Sequence, residues 1–116
     1  MVIEIKRGEI IILDFNPVIG SEQGDIRPAI VLQNNISNKF SPTTIVAPFT
    51  SQIFNKNYPT NVFVPKEISG LKKDSNLLLN QIKTIDKSRI KKRVCSLDFP
   101  TMIKVDLAIK VSLGLN

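Results

Sequence analysis

The chain has no histidine and no tryptophan, and it carries a single cysteine, Cys95. Without histidine the commonest general acid/base is missing, and with it Ser-His and Cys-His dyads and His-containing zinc sites. One cysteine builds neither a zinc cluster nor an internal disulfide, which points to a reducing, cytoplasmic setting. No apolar run approaches the roughly 20 residues of a membrane-spanning helix, and charged Glu4, Lys6 and Arg7 interrupt the amino terminus in a way unlike a signal peptide. Phosphate-binding glycine fingerprints, calcium-loop patterns, repeats and low-complexity tracts are also missing. Glu22 and Asp25 share one loop but fall far short of the six or so oxygens a hard cation takes, so no metal and no cofactor is expected.

What is present describes one globular domain over residues 1–116, with 42% hydrophobic residues, seven prolines and a net charge of +6. That basic balance suits nucleic acid or an acidic protein partner. Short β-branched runs between turn signals fall at 9–15, 27–33, 43–49, 60–64 and 89–97, and residues 75–85 read as two close strands or one bent one. A single helical turn is expected near 36–40, a polar connection at 66–74, and an edge or bulge where Pro48 interrupts its strand. Many short strands of this kind point to a barrel or sandwich. The tail is ambiguous. Ile103, Val105, Leu107, Ile109, Val111 and Leu113 alternate as in a strand. The same stretch also forms two helical stripes, Met102–Val105–Ile109–Leu113 and Ile103–Leu107–Val111, and Asp98 with Pro100 resembles a helix start.

The stretch that organises the rest is Gly20-Ser21-Glu22-Gln23-Gly24-Asp25-Ile26-Arg27-Pro28. Its glycines permit tight turning, and Pro28 disfavours helix at Arg27 and holds it extended. A guanidinium is a rigid fork of donors matched to phosphate. Phosphoryl transfer is the chemistry most accessible to arginine, hydroxyls, amides and carboxylates, because positioning and charge stabilisation dominate it. RNA brings its own nucleophile, the 2′-hydroxyl, so a protein that cuts it by internal attack must supply geometry, charge and proton transfer. Arg27 answers the charge and Thr50, closing its strand, offers a hydroxyl. Glu22 is the candidate proton acceptor, since arginine stays protonated. The run Lys87, Arg89, Lys91, Lys92, Arg93 reads either as a phosphate track or as a solvated strand face. Phe54 and Tyr58 are the aromatics best placed to meet unstacked bases.

The blocks RGEIIILDF, GSEQGDIRPAIVLQN, APFTSQ and LLLNQIKTIDKSRI, in this order and spacing, resemble the MazF/PemK toxins of toxin–antitoxin pairs over nearly the whole chain. The resemblance implies a mainly β, SH3-like barrel with a carboxy-terminal helix, which decides the tail in favour of helix. It further implies a homodimer and a sequence-selective, metal-independent endoribonuclease that leaves 2′,3′-cyclic phosphate and 5′-hydroxyl ends on single-stranded RNA. A MazE-like antitoxin is the expected protein partner. Arg27 and Thr50 fall on the family's catalytic pair, and Glu22 on the glutamate of its GSEQ loop. Ser21, Gln23, Gly24, Ser51, Gln52 and Gln81 are the expected RNA contacts. Lys83 stands where relatives often carry arginine, and Pro48 lies two residues before Thr50. A non-catalytic, CcdB-like inhibitor of gyrase, or a barrel that binds RNA without cutting it, remain the alternative readings.

Overall fold

In the computed structural model, residues 4–17, 19–22, 24–54 and 58–115 are described. The strands are β1 (Glu9–Asp14), β2 (Ile26–Val31), β3 (Thr43–Thr50), β4 (Asn61–Val64), β5 (Ser75–Leu78), β6 (Lys83–Asp86) and β7 (Ile90–Ser96). The helices are α1 (Asn35–Phe40), α2 (Lys66–Ser69) and α3 (Phe99–Leu113), and Lys87–Arg89 form a 3-10 turn. The antiparallel strands run in the order β4-β5-β3-β2-β1-β7, with β6 also paired to β3. This is the β-barrel with a carboxy-terminal helix that the resemblance implies.

β1 is buried on both faces, which explains its continuous apolar run. Ile10 joins a core with Ile30, Phe49, Leu77 and Val105, whereas Ile11 and Leu13 join a second core with Ala29, Val31, Ile85 and Ile90. Alternate residues of a strand point to opposite faces, so a strand flanked by two cores needs apolar residues at every position. The stretch 75–85 is two strands, each pairing with a different part of β3.

Pro48 does not mark a sheet edge: it sits inside β3, opposite Ala29 of β2. The Leu32 amide donates to the Ile45 carbonyl at 2.8 Å, so odd-numbered residues of β3 direct their peptide groups toward β2 and even-numbered ones away from it. The missing N–H of Pro48 therefore faces the far side. There β6 pairs only up to Val46 and β5 begins at Phe49, so no ladder bond is lost.

The polar connection contains α2, one turn closed by Gly70 at φ 73°. Helix α3 replaces the alternating strand pattern of the tail. Asp98 stands at its N-cap position without a side-chain capping bond, and Pro100 lies in the first turn. At its end Gly114 adopts φ 71° and the Leu115 amide returns to the Lys110 carbonyl at 2.7 Å, a Schellman-type stop. Val105 and Ala108 are buried, with Met102 and Ile109 packed beside them, while Phe99, Ile103, Leu107 and Val111 are exposed at a spacing of four.

Candidate active site

The site begins where the β2–β3 ladder stops. Ala29↔Pro48 is its last pair, and the next would be Pro28 opposite Phe49. By the alternation above, residue 28 should donate its amide to the Phe49 carbonyl, and proline has none. Arg27 Nη1 takes that place, donating to the Phe49 carbonyl at 3.3 Å, while its Nε donates to the Gly24 carbonyl at 2.6 Å. The guanidinium is thus held between the loop and the end of β3, with two of five N–H donors used by the fold. The ladder gap and the pinned arginine have one cause, Pro28.

Continuing the register by two steps sets Thr50 across from Arg27. Thr50 is 8% exposed, and its Oγ accepts from the Gln52 amide at 3.2 Å, which leaves the hydroxyl proton available to a guest. Asn76 Nδ2 donates to the Gln52 carbonyl at 3.2 Å and ties the following chain to β5. Arg27, Thr50, Ser51 and Gln52 line one groove of about 840 Å³ together with Lys72, Lys73 and Lys92.

A second pocket, of about 430 Å³, is lined by Ser21, Glu22, Gln81 and Lys83, with Phe15 and Pro48 among its walls. Glu22 is therefore grouped with Ser21 and Gln81 rather than with the Arg27–Thr50 groove. Its Oε1 accepts from the Ile19 amide at 2.7 Å, so the carboxylate is occupied in closing its own loop. Gly24 acts through its carbonyl on Arg27. Gln23 lies outside the described residues.

The loop reaches Arg27 through Asp25, which holds φ 66°, a conformation Asp tolerates better than most residues. Its amide donates to Asn16 Oδ1 at 3.1 Å and its carbonyl accepts from Phe15 at 3.0 Å.

The basic run disperses. Lys87 Nζ donates to the Asn38 carbonyl, Arg89 Nη1 to the Asp14 carbonyl at 3.2 Å and also to that of Asn16, and Arg93 pairs with Glu9 at 3.4 Å. Lys91 is exposed, and only Lys92 lines the groove. It gets there because β7 shifts register against β1 twice, between Ile10 and Ile11 and between Ile12 and Leu13, leaving Lys92 paired with Ile12, another lining residue. Lys72 and Lys73 were not legible as site residues, since they fall in a polar connection and carry no motif. Phe54 and Tyr58 pack edge to face, with centroids 5.8 Å apart, and line a separate groove against α3 rather than the Arg27 groove.

A small antiparallel barrel with an arginine and a threonine at the end of one broken ladder defines the class: a β-barrel whose groove presents hydrogen-bond donors of the kind that suit an anion such as phosphate. Residues 6–113 match the family described as PemK-like, MazF-like toxin of type II toxin-antitoxin system, and the chain belongs to that family. It is 48% identical over 111 residues to the endoribonuclease EndoA of Bacillus subtilis, an alignment covering 96% of each chain. It is 47% identical to the endoribonuclease MazF of Staphylococcus epidermidis, over 97% of this chain and 93% of that one. Among solved structures, MazF from Deinococcus radiodurans superposes with a TM-score of 0.83 at 26% identity, covering 99% of both chains.

Proposed function

We propose that this toxin is a metal-independent endoribonuclease that cuts single-stranded RNA by attack of the 2′-hydroxyl on its own phosphodiester. The products are a 2′,3′-cyclic phosphate and a 5′-hydroxyl. The observation that carries this reading is the shared groove: Arg27 and Thr50 line it together, each with hydrogen-bonding capacity the fold does not consume. The chain's kinship with two endoribonucleases supports it and disfavours the gyrase-inhibitor alternative.

In this mechanism Arg27 stabilises the charge that builds on the non-bridging oxygens as phosphorus becomes five-coordinate. The Thr50 hydroxyl donates to the phosphate and keeps the reacting atoms in line; as the P–O5′ bond breaks, solvent in the open groove protonates the departing 5′-oxygen to give the 5′-hydroxyl. Glu22 accepts the 2′-hydroxyl proton after releasing the Ile19 amide, so proton transfer requires the loop to move. The pocket of Ser21 and Gln81 receives a neighbouring base, whose edge suits a glutamine amide; Gln23 and Gly24 belong to the same loop, and Ser51 and Gln52 extend the contact beyond Thr50. The protein partner is the antitoxin that a type II toxin–antitoxin family requires. The protein acts as a homodimer in the cytoplasm, a setting that suits its one free thiol.

The experiment is cleavage of a mixed RNA in EDTA with mapping of the new ends. Wild type gives cyclic phosphate and 5′-hydroxyl ends, and Arg27→Ala lowers the rate at least ~100-fold, as for removal of one oxyanion donor. Near-normal cutting by Arg27→Ala refutes the assignment. Glu22→Gln lowers kcat by ~100-fold or more; an unchanged kcat removes Glu22 from the proton path.

A further inference from the structure

The groove has a lining that the cleavage chemistry does not use. Its charged residues are Arg27, Lys72, Lys73 and Lys92, and no acidic residue among those described lines it. The ion pairs among the described residues are Arg7–Asp106 and Arg93–Glu9, so none of the three lysines is neutralised by them. Like charges gathered around one cleft repel one another and focus a positive potential into it. Such an arrangement is unfavourable until a polyanion occupies the cleft.

The strap that carries Lys72 and Lys73 is fastened on both sides. Before it, Gly70 ends α2 in the left-handed region, Ser69 Oγ accepts from the Leu71 amide at 3.0 Å, and Cys95 Sγ donates to the Ser69 carbonyl at 2.7 Å. After it, Ser75 Oγ donates to the Lys73 carbonyl at 3.1 Å, and Asp74 Oδ1 accepts from the Lys66 amide at 2.9 Å. The two ammonium groups therefore ride on a braced turn. Lys92 reaches the same groove through the β7 register shifts. Ammonium groups are point charges with three rotatable donors, suited to holding a phosphate without demanding one orientation.

We propose that Lys72, Lys73 and Lys92 bind a second RNA phosphate, adjacent to the one that Arg27 and Thr50 activate, so that the groove grips the strand by two consecutive backbone charges. The inference rests on the reading of the groove as an RNA-cleaving site. An acidic protein segment would also answer to lysines, but their continuity with Arg27 and Thr50 in one cleft favours the substrate's own backbone. The lysines are positioning residues: they act on where the reacting phosphate sits rather than on the reaction itself.

The test uses the full chain, its triple variant Lys72→Gln/Lys73→Gln/Lys92→Gln and the matching triple Lys→Arg variant. The substrate is a DNA oligonucleotide with one ribonucleotide at the cut site, made with each neighbouring phosphate in turn replaced by a neutral methylphosphonate. The glutamine variant should raise KM ~10-fold or more and flatten the dependence of log(kcat/KM) on log[KCl] by about 0.7 for each phosphate the protein no longer neutralises. The arginine variant should keep the slope. One methylphosphonate should slow wild type ~10-fold yet cost the glutamine variant nothing further. A wild-type salt slope in the glutamine variant, or full additivity of protein and substrate changes, overturns the proposal. So does a glutamine variant that cuts RNA normally but no longer binds polyglutamate, which would assign the lysines to an acidic protein. Arg27→Ala separates the two levels: normal cutting by it sinks the reading of the groove, whereas its inactivity alongside an unchanged lysine slope sinks only the second phosphate site.

Discussion

At the scale of single residues, Cys95 illustrates how position rather than identity sets behaviour. Burial raises its thiol pKa above the ordinary value, and its Sγ–H donates to the Ser69 carbonyl. The folded pKa thus exceeds the unfolded one, so this contribution to stability is complete below the unfolded pKa and is lost as pH rises through the folded value. At pH 8 the native protein should react with iodoacetamide much more slowly than the protein in denaturant, a ratio measurable by mass spectrometry. Equal rates would mean the thiol is exposed and ionising freely. Arg27 shows the complementary case. Its candidacy was legible from Arg-Pro after a glycine loop, but its hold on the Gly24 and Phe49 carbonyls was not, because those partners are set by strand register. Lys72 and Lys73 carry no signal at all, since nothing in their local sequence distinguishes a solvated turn from the wall of a cleft.

At the scale of elements, the β2–β3 pair is the informative one. The ladder is cut at Pro28, and the cut makes room for the guanidinium. Pro28→Ala restores an amide opposite the Phe49 carbonyl and sets it in competition with Arg27. The gained hydrogen bond, about 1 kcal/mol, roughly offsets the greater freedom of the unfolded chain, about 0.4–1 kcal/mol, so stability should change little. Cleavage should nevertheless fall several-fold, as steady-state kinetics beside a thermal melt would show. A variant that melts and cuts like wild type would detach the arginine's placement from the ladder gap. Pro48 carries the matching lesson. Its presence suggested an edge, yet β3 is paired on both sides, and the proline is tolerated because it falls where one partner strand hands over to another.

At the scale of the whole molecule, two apolar cores share a sheet, and α3 closes only one of them. Its second stripe, Phe99, Ile103, Leu107 and Val111, stays exposed, with Phe99 at 77%. An apolar row of this kind marks an association surface, and it fits the homodimer proposed above. Leu107→Glu should leave the monomer folded, because Leu107 is outside the core, and shift sedimentation equilibrium toward monomer. A dimer of unchanged strength would place the interface elsewhere. Arg7 anchors α3 to the barrel: Nη2 meets Asp106 at 2.5 Å and Nε donates to the Leu32 carbonyl at 2.9 Å. It joins residues almost a hundred positions apart, a contact no local pattern can announce.

The strand positions, the turn signals and the arginine–threonine candidates were determined by sequence alone, because backbone preferences and the chemistry of side chains act over a few residues. The tail shows the boundary of that reach. Its alternation favours a strand, yet α3 forms, because a helix places Val105, Ala108 and Ile109 on one core together and an extended chain would not. The tertiary structure alone decided that Glu22 joins Ser21 and Gln81 rather than Arg27, and that the basic run scatters while Lys72, Lys73 and Lys92 converge. Those outcomes depend on strand register and bulges, which bring together residues far apart in the chain. Register is fixed by the packing of two cores at once, and no short segment contains that information.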